Sequence, residues 1–459
     1  MNDKPLHLVV MAAGEGKRMH SDLPKVLQPI AGAAMLEHLL ATSLQLQPVQ
    51  VHVVVGHRAG QVESLLERLD DARLDAVEQR ERLGTGHAVQ QAMDAIPDSA
   101  RVLVLPGDMP LVRVQTLARL AALEASIAVL SFIAADPSGY GRILRDTRQG
   151  VIGIREQRDA SLEEQAIDEV NSGVLLADAA YLRGWLGRLE NDNAQGEYYL
   201  TDCIGLAAAD GEKVEALVCD DSEELMGANN MRQLADLETA LQRRRRNELM
   251  DSGVRMACPE AVQIRGSVRC GRDVAIDAGV VLEGRVVLGD GVQLGVGSIV
   301  RNCTLAAGTR VEPYCVLDGA ETTGACIIGP FARLRPGTLL AAGVRIGNFV
   351  ETKNARFDEG AKASHLSYVG DAEIGARANL GAGTITCNYD GVDKHRTRIG
   401  TEAFIGSNTA LVAPVRIGAR ATIGAGSVIS RDAPDGQLTL SRARQQTLPE
   451  WTRAAKKDS

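Results

Sequence analysis

The second half of the chain carries an apolar residue at every sixth position. The series runs through Ile264, Cys270, Ile276, Leu282, Leu288, Leu294 and Val300, and it resumes at Ile328, Leu334, Leu340, Ile346, Ile374, Leu380, Ile399, Ile405, Leu411, Ile417, Ile423 and Ile429. Side chains six residues apart fall on opposite sides of an α-helix, so a helix cannot bury the series. A period of six is typical of a parallel β-helix, in which three short strands close a coil of about 18 residues. Because each coil is covered only by its neighbours, the repeat predicts a stacked solenoid.

The series is interrupted twice, at 352–373 and at 385–398. Both segments are rich in polar side chains, among them Lys353, His365, Tyr368, Cys387, Asn388, Tyr389 and Lys394. Insertions in a repeat array usually form surface loops, often at the binding face. We therefore expect both segments to form loops and to carry a functional site.

The first half shows a different pattern, in which apolar β-branched runs alternate with helical ones. The runs of strand length are 6–12, 49–56 and 101–108, and the helical patterns are 33–47, 58–70 and 85–95. This alternation predicts an α/β domain with a mostly parallel sheet covered by helices. Short strands with turns at 140–157 suggest an appended β layer.

One long helix is predicted between the two halves. Residues 230–250 contain neither Gly nor Pro, and Ser252–Gly253 would end the helix. The chain is therefore divided into an α/β domain at 1–229, a linker helix at 230–251 and a β-helix domain at 252–459. The four arginines at 243–246 are interpreted as a solvated helix end, and the tail at 453–459 is expected to be disordered.

Composition excludes several classes of function. The net charge is −9 and aromatic residues make up 3% of the 459 residues, which argues against a nucleic-acid-binding protein. No apolar run approaches the roughly 20 residues of a membrane span, so no membrane insertion is expected. The apolar stretch near the N-terminus is too short for a signal peptide. Eight cysteines without a CxxC pair suit reduced thiols in the cytoplasm.

A phosphate-binding site is suggested at the carboxyl ends of the first-half strands. The glycine-rich segment MAAGEGKRM at 11–19 follows the first apolar run, where backbone N–H groups can approach phosphate oxygens. Arg18 and Lys25 supply cations nearby. Asp108 follows the run at 101–105, where open α/β sheets bind ligands. A carboxylate beside bound phosphates is a suitable Mg²⁺ ligand.

Several motifs in this half resemble sugar-nucleotide pyrophosphorylases. They are AAGEGKRM, PK at 24–25, QRERLGTGHA at 79–88, GDMPL at 107–111, GYGRI at 139–143, NSG at 171–173, QGEYYLTD at 195–202 and GANN at 227–230. Together with the six-residue repeat, they resemble the bacterial family of bifunctional N-acetylglucosamine-1-phosphate uridylyltransferases and glucosamine-1-phosphate N-acetyltransferases over essentially the whole chain. The resemblance implies a Rossmann-like α/β domain followed by a left-handed parallel β-helix. It also implies a homotrimer with shared acetyltransferase sites.

The resemblance implies a uridylyl-transfer site in the first half. Its residues would be Met11, Ala12, Ala13, Gly14, Arg18, Lys25, Gln79, Gly84, Thr85, Gly107, Asp108, Gly141, Glu156, Asn171, Thr201 and Asn229. Lys25 and Arg18 would balance phosphate charge, while Asp108 and Asn229 would hold Mg²⁺. The attacking sugar phosphate is already an anion, so alignment and charge neutralisation suffice.

Two positions of that site depart from the family pattern. Met11 stands where the family usually has Leu, and its contact is mainly through the backbone. Pro106 has no backbone N–H, so any hydrogen bond from that donor is lost.

The second site must deprotonate an amine, for which histidine is a natural general base. The second half holds only His365 and His395, too few for the three-histidine zinc site of a gamma-type carbonic anhydrase. The resemblance implies that His365 is the base. It further implies that glucosamine 1-phosphate binds Arg335, Lys353, Tyr368, Asn379 and Lys394, and that acetyl-CoA contacts Ala382, Asn388, Tyr389, Ser407, Ala425 and Arg442.

The function implied is a two-step synthesis of UDP-N-acetylglucosamine for envelope precursors. Acetyl transfer from acetyl-CoA to glucosamine 1-phosphate would be followed by Mg²⁺-dependent reaction of N-acetylglucosamine 1-phosphate with UTP. The alternative is a single-activity sugar-1-phosphate nucleotidyltransferase whose β-helix oligomerises or regulates it.

Overall fold

The computed structural model describes residues 4–454, except for the side chain of Lys17. The chain forms two compact units that divide between Gln242 and Arg243. The divide falls inside the helix Met231–Asp251, which agrees with the helix predicted at 230–250. The disorder expected for the tail concerns mainly residues 455–459, which lie outside the described residues.

The first unit is built on a nine-stranded sheet. Seven strands follow one another across it in the order Val214–Val218, Ile127–Ile133, Glu169–Asp178, Arg101–Pro106, Leu6–Met11, Gln50–Val55 and Leu74–Glu78. Only Glu169–Asp178 runs antiparallel to its neighbours in this row. The strands Arg142–Arg145 and Val151–Arg155 form a hairpin that joins the sheet at Val170, which is the β layer predicted at 140–157. A two-stranded hairpin is formed by Pro29–Ile30 and Ala33–Ala34.

Helices cover both faces of this sheet, because its strands are apolar on both sides. The three predicted helices are present with somewhat shorter bounds, Met35–Ser43, Ala59–Leu69 and Thr85–Met93. The first two pack on one face and the third packs on the other. The further helices are Val114–Ala121, Leu162–Gln165, Ala179–Leu186, Asp202–Ala209 and Met231–Asp251.

The second unit is a parallel β-helix, as the six-residue series predicts. One row of strands consists of Arg255–Met256, Ala275–Ile276, Gln293–Leu294, Arg310–Val311, Ile327–Ile328, Arg345–Asn348, Lys362–His365, Asn379–Leu380, Phe404–Ile405, Thr422–Ile423 and Leu438–Thr439. The other two rows are formed by Gln263–Cys270, Val281–Leu288, Ile299–Arg301, Thr304–Leu305, Val316–Asp318, Glu321–Thr322, Arg333–Leu334, Leu339–Leu340, Glu351–Phe357, Tyr368–Ile374, Ile385–Cys387, Thr397–Ile399, Ala410–Val412, Val415–Ile417 and Val428–Ile429. Every residue of the series is at most 3% exposed, except the half-buried Cys270.

The interruption predicted at 352–373 is wrong. Strands Glu351–Phe357, Lys362–His365 and Tyr368–Ile374 continue the β-helix without a loop insertion. Thr352 and Ala363 fill inward positions and are fully buried. A threonine or an alanine can fill an inward position of the coil, but a search for large aliphatic residues does not detect it.

The interruption at 385–398 contains a real loop. Strand Ile385–Cys387 is followed by a loop that returns at Thr397–Ile399, and Tyr389 forms a β-bridge with Lys394 across it. The insertion lengthens this coil, so Leu380 pairs with Ile405.

The interpretation of the four arginines as a solvated helix end is wrong for Arg245 and Arg246. Arg246 is buried and donates from Nη1 to the carbonyl of Val262 at 3.2 Å. Arg245 donates to the carbonyl of Ile264 at 2.9 Å. These two guanidinium groups therefore satisfy backbone carbonyls at the start of the β-helix.

Two buried histidines stack within the first unit. The rings of His7 and His52 lie 5.6 Å apart, with His7 Nδ1 3.3 Å from His52 Nε2, and His52 Nδ1 is 3.5 Å from Asp75. Burial lowers the pKa of both imidazoles below 6.5; His52 lowers the pKa of His7 further, whereas Asp75 partly offsets the lowering at His52. Both rings are therefore neutral in the folded protein near pH 7.

Acidification is expected to destabilise this unit. Below pH 6.5 the unfolded chain takes up protons at these two positions that the folded chain does not, so the free energy of unfolding falls until the lower folded pKa values are passed. Denaturant unfolding followed by fluorescence of the buried Trp185 measures this. We expect His52→Val, which matches the neighbouring Val51 and Val53, to lose less stability than the wild type between pH 7.5 and pH 5.5. Equal losses would contradict this account.

Candidate functional site

The first candidate site surrounds the loop after the strand Leu6–Met11. Ala12 and Ala13 are buried, whereas no atom lies within 4 Å of the position that a Cβ on Gly14 would take. Gly16 has a φ of +64°, and a Cβ there would come within 2.7 Å of the Cβ of Lys25. The loop thus leaves open space along its backbone and packs against Lys25.

Lys25 joins the two predicted metal ligands. Its Nζ lies 2.5 Å from Asp108 Oδ2 and 2.7 Å from Asn229 Oδ1. The backbone N–H of Asn229 donates to Gln233 Oε1 at 2.7 Å, and a side chain on Gly227 would come within 2.8 Å of Asp108 Oδ2. The structure therefore brings together three residues that are far apart in the sequence, and it uses the missing side chain of Gly227 to do so.

A small cavity in the same unit, which reaches Met11 just before the loop, has a volume of about 110 Å³. Its lining includes five predicted sugar- or nucleotide-contacting residues, Met11, Thr85, Glu156, Asn171 and Thr201. Burial raises the pKa of Glu156, whose Oε1 accepts a hydrogen bond of 3.0 Å from the Thr201 hydroxyl. A carboxyl group and an amide in a mostly apolar cavity suit a polar ligand such as a sugar.

The remaining predicted contacts border this region. Gln79 is buried, and its Nε2 lies 3.3 Å from the carbonyl of Gly84. Gly84 has a φ of +114°, and a Cβ there would lie 2.6 Å from the carbonyl oxygen of Tyr198. Thr85 Oγ accepts from the backbone N–H of Leu200 at 3.0 Å. Glycine is therefore required at position 84, because the backbone of Tyr198 leaves no room for a side chain there.

Gly107, Gly141 and Arg18 are the remaining predicted residues of this site. The carbonyl of Gly141 accepts from the Asn171 N–H at 2.8 Å, and the Gly107 N–H donates to the carbonyl of Met11 at 3.0 Å. Arg18 is exposed on the short 3₁₀ turn Lys17–Met19. Pro106 pairs with Met11 at the end of its strand, whereas on the other side the pairing with Glu169–Asp178 extends only as far as Val104, opposite Leu175. The antiparallel pairing has therefore ended where proline lacks its donor.

The second candidate site lies on the β-helix around His365. Asn348 lies on the preceding coil and pairs with His365. Its Oδ1 is 2.8 Å from His365 Nδ1. The imidazole is exposed. His395, the other histidine of this unit, lies with Nε2 2.7 Å from Asp390 in the loop.

Cations cluster close to each other in this unit. The positive charges of Lys394 and Arg335 lower the pKa of Lys353, Lys394 being the larger influence. Arg335 also pairs with Glu351 at 3.0 Å. The buried Asp371 accepts a hydrogen bond of 2.6 Å from Asn354 and another from Asn388. Mutually repelling cations around a single buried carboxylate suit the binding of a phosphate.

Three of the predicted coenzyme-contacting residues lie at equivalent positions of successive coils. Pairing of Leu380 with Ile405, and of Ile405 with Ile423, places Ala382, Ser407 and Ala425 at equivalent positions on successive coils. Arg442 donates to the carbonyl of Ala425 at 3.0 Å. Small side chains in one row leave room for an extended ligand close to the backbone. Of the other predicted contacts, Tyr389 is exposed, Asn388 is buried, and Tyr368 and Asn379 are half-buried.

Comparison with known proteins agrees with the division of the chain into two units that each hold a candidate site. A family model for the MobA-like NTP transferase domain matches residues 8–163, and the bacterial transferase hexapeptide model, of six repeats, matches residues 396–431. The bifunctional protein GlmU of Xanthomonas axonopodis pv. citri is 55% identical over 99% of this chain and 99% of its own. The proteins of the same name from Xanthomonas oryzae pv. oryzae and Stenotrophomonas maltophilia are 56% and 53% identical, with the same coverage.

The chain belongs to the GlmU family. The predicted resemblance, the fold class and the two-activity enzyme are thereby confirmed: a nucleotidyltransferase domain is joined to a hexapeptide-repeat transferase domain. The single-activity alternative is not supported, since these relatives carry the name of a bifunctional protein. In residues 4–454, no helix is long and apolar enough to cross a membrane.

Nucleotidyl transfer generally uses a divalent metal ion. Among the described residues, no group of three or more His, Cys, Asp and Glu side chains could hold one. Asp108 and Asn229 supply two oxygen atoms, and both contact Lys25 Nζ. Two protein oxygens fit a hard cation that takes its other ligands from phosphates and water.

Three residues of these sites escaped sequence reasoning. Gly227 and Gln233 act only through contacts with Asp108 and Asn229, and nothing in their local sequence reveals this. Asn348 lies one coil before His365 but only 17 residues earlier, so a step of the predicted 18 residues would have indicated Gly347 instead.

Proposed function

We propose that this protein makes UDP-N-acetylglucosamine in two steps. In the first, domain 252–459 transfers the acetyl group of acetyl-CoA to glucosamine 1-phosphate. In the second, domain 1–229 couples N-acetylglucosamine 1-phosphate to UTP and releases pyrophosphate, with residues 230–251 as the linker helix. The enzyme works in the cytoplasm and supplies envelope precursors.

The observation that carries the proposal is the exposed imidazole of His365, held at Nδ1 by Asn348. A β-helix that only oligomerised would not need an oriented base in the unit that holds a cluster of cations. Arg335, Lys353 and Lys394 bind the phosphate of glucosamine 1-phosphate, with Tyr368 and Asn379 on the sugar. The coenzyme lies along Ala382, Ser407 and Ala425, with Asn388, Tyr389 and Arg442 at its borders.

In acetyl transfer, His365 accepts a proton from the amine as its nitrogen attacks the thioester carbonyl. The new C–N bond forms, the C–S bond breaks, and the electron pair leaves with the sulfur. The proton then returns from the imidazole to the thiolate, giving free CoA. Proton, acetyl group and electrons therefore balance without a further reactant.

In uridylyl transfer, the chain supplies binding and alignment. Met11, Ala12, Ala13 and Gly14 present the open loop to the nucleotide, whose uracil and ribose contact Gln79, Gly84 and Thr85; Gly107 lies against this loop. The sugar occupies the cavity with Gly141, Glu156, Asn171 and Thr201, and the cations Lys25 and Arg18 neutralise phosphate charge. Asp108 and Asn229 hold Mg²⁺, which, when bound, stabilises the negative charge of the phosphates.

The proposal includes a homotrimer with shared acetyltransferase sites. Tyr314, Phe331 and Phe349 stack on successive coils with centroids 5.4 Å apart, yet each ring is about half exposed. The next coil continues the ladder with Leu366, next to His365. A second copy covering this ladder would bury it, and sedimentation of the purified chain tests the trimer.

The function is tested by supplying purified protein with acetyl-CoA, glucosamine 1-phosphate, UTP and Mg²⁺. Free CoA and pyrophosphate are measured separately. We expect both to appear, with CoA formation independent of UTP and pyrophosphate formation dependent on a sugar phosphate that has been acetylated. Pyrophosphate without CoA would favour a nucleotidyltransferase with a non-catalytic β-helix.

A further inference from the structure

Asn348 lies outside the residue sets assigned to either reaction, yet it determines the chemistry of His365. Its Oδ1 is 2.8 Å from His365 Nδ1. An amide oxygen can only accept, so Nδ1 must carry the ring proton and Nε2 must keep its lone pair. We propose that Asn348 is a positioning residue that holds His365 as the Nδ1–H tautomer, leaving Nε2 to accept the amine proton. This inference rests on the base role proposed above.

The backbone around the pair is fixed on both coils. The N–H of Leu366 donates to the carbonyl of Asn348 at 3.0 Å, and the Ser367 hydroxyl donates to the carbonyl of His365 at 2.8 Å. Gly347 approaches Ser364 so closely that any side chain there would collide with its carbonyl. The two coils therefore bring the amide to the ring as a rigid unit, although the ring itself is exposed.

Removal of this amide leaves an exposed ring free to rotate and to change tautomer. Binding of both substrates depends on other side chains, so the effect falls on the chemical step. For Asn348→Ala we expect kcat of acetyl transfer to fall by about 10- to 100-fold, with KM for both substrates nearly unchanged. Asn348→Asp restores an acceptor and should recover most of kcat when measured on the alkaline plateau.

The tautomer itself is measured by ¹⁵N NMR, with the His365 signals assigned by their loss in His365→Gln. The wild type should show a protonated Nδ1, and Asn348→Ala a mixture of tautomers. Unchanged KM values for glucosamine 1-phosphate and acetyl-CoA report that the β-helix of each variant is folded. Wild-type kcat in Asn348→Ala, or a loss that Asn348→Asp does not recover, would overturn the inference. An active His365→Ala would instead remove the proposed base itself.

A second, independent observation concerns Lys25. Its ammonium touches the oxygen atoms of both Asp108 and Asn229, at 2.5 and 2.7 Å. These are the atoms that would ligate a divalent cation, and an ammonium and a metal ion cannot share them. We infer that Lys25 occupies the metal position in the free enzyme and is displaced when the metal binds, which frees it for the nucleotide phosphates. Metal and nucleotide binding are then positively coupled through this side chain.

Mn²⁺ binding, followed by water-proton relaxation, tests this without catalysis. We expect Lys25→Met to bind Mn²⁺ about fivefold or more tightly than the wild type in the absence of nucleotide. We also expect UTP to increase Mn²⁺ affinity less in this variant than in the wild type, because only the part of the coupling that depends on Lys25 is lost. Lys213→Met is the matched control, because it makes the same change at an exposed lysine of this unit that pairs with Glu215. Lys25→Gln provides a second variant, and fluorescence of the buried Trp185 reports that this unit is folded. If both Lys25 variants bound Mn²⁺ no more tightly than Lys213→Met, the inference would be wrong.

Discussion

Replacement of His365 by alanine is expected to lower acetyl transfer by about 10²- to 10⁴-fold, the usual contribution of a general base. The amine nucleophile then has no group to take its proton, whereas the cations that bind its phosphate are unchanged. Uridylyl transfer should stay at the wild-type rate, since its predicted residues belong to the other unit. The measurement is the release of free CoA and of pyrophosphate in separate half-reactions.

His395→Gln is the matched control for this variant. His395 is the other histidine of the β-helix, but its Nε2 faces Asp390 within the loop. We expect it to retain most of the acetyl transfer activity. Substantial acetyl transfer by His365→Ala would rule out the assigned base, and loss of both activities would mean that the two reactions are not independent.

The opposite pattern is expected for Asp108→Ala. It removes the carboxylate that contacts Lys25, so the proposed metal ligand and the partner of Lys25 are lost together. Uridylyl transfer should fall by about 10²- to 10³-fold, as for the loss of one preorganised electrostatic group at a transition state. Acetyl transfer should be unchanged. The assay is pyrophosphate release across a Mg²⁺ titration.

Asp220→Ala serves as its control, because Asp220 is an exposed carboxylate of the same unit that pairs only loosely with Arg119 at 3.6 Å. It should match the wild type in both reactions. Full Mg²⁺-dependent uridylyl transfer by Asp108→Ala would remove the metal assignment.

Local periodicity predicts the β-helix well because the inward positions of each coil recur every six residues along the sequence. The prediction is wrong where a different residue type fills the same inward position, as Thr352 and Ala363 do. It also treats Arg246 as solvated, because a helix pattern cannot reveal that the carbonyl of Val262 lies within reach. Errors of this kind come from contacts between segments, which no local pattern contains.

The same distinction applies to the candidate sites. The carboxyl ends of parallel strands meet at one edge, so the placement of Asp108 near the glycine-rich loop follows from strand order alone. The contact of Lys25 with Asn229, 204 residues later in the chain, does not. The hydrogen bond from His365 to Asn348 depends on the register between coils, and the sequence predicts only that coils stack.

The central claim is that one chain carries two separate catalytic sites joined by a diffusible product. It is tested most directly by supplying glucosamine 1-phosphate, acetyl-CoA, UTP and Mg²⁺ to His365→Ala, to Asp108→Ala, and to a mixture of the two variants. We predict that neither variant alone forms UDP-N-acetylglucosamine and that the mixture does, because Asp108→Ala supplies the acetylated sugar phosphate that His365→Ala consumes. Product from either variant alone, or none from the mixture, would contradict the account.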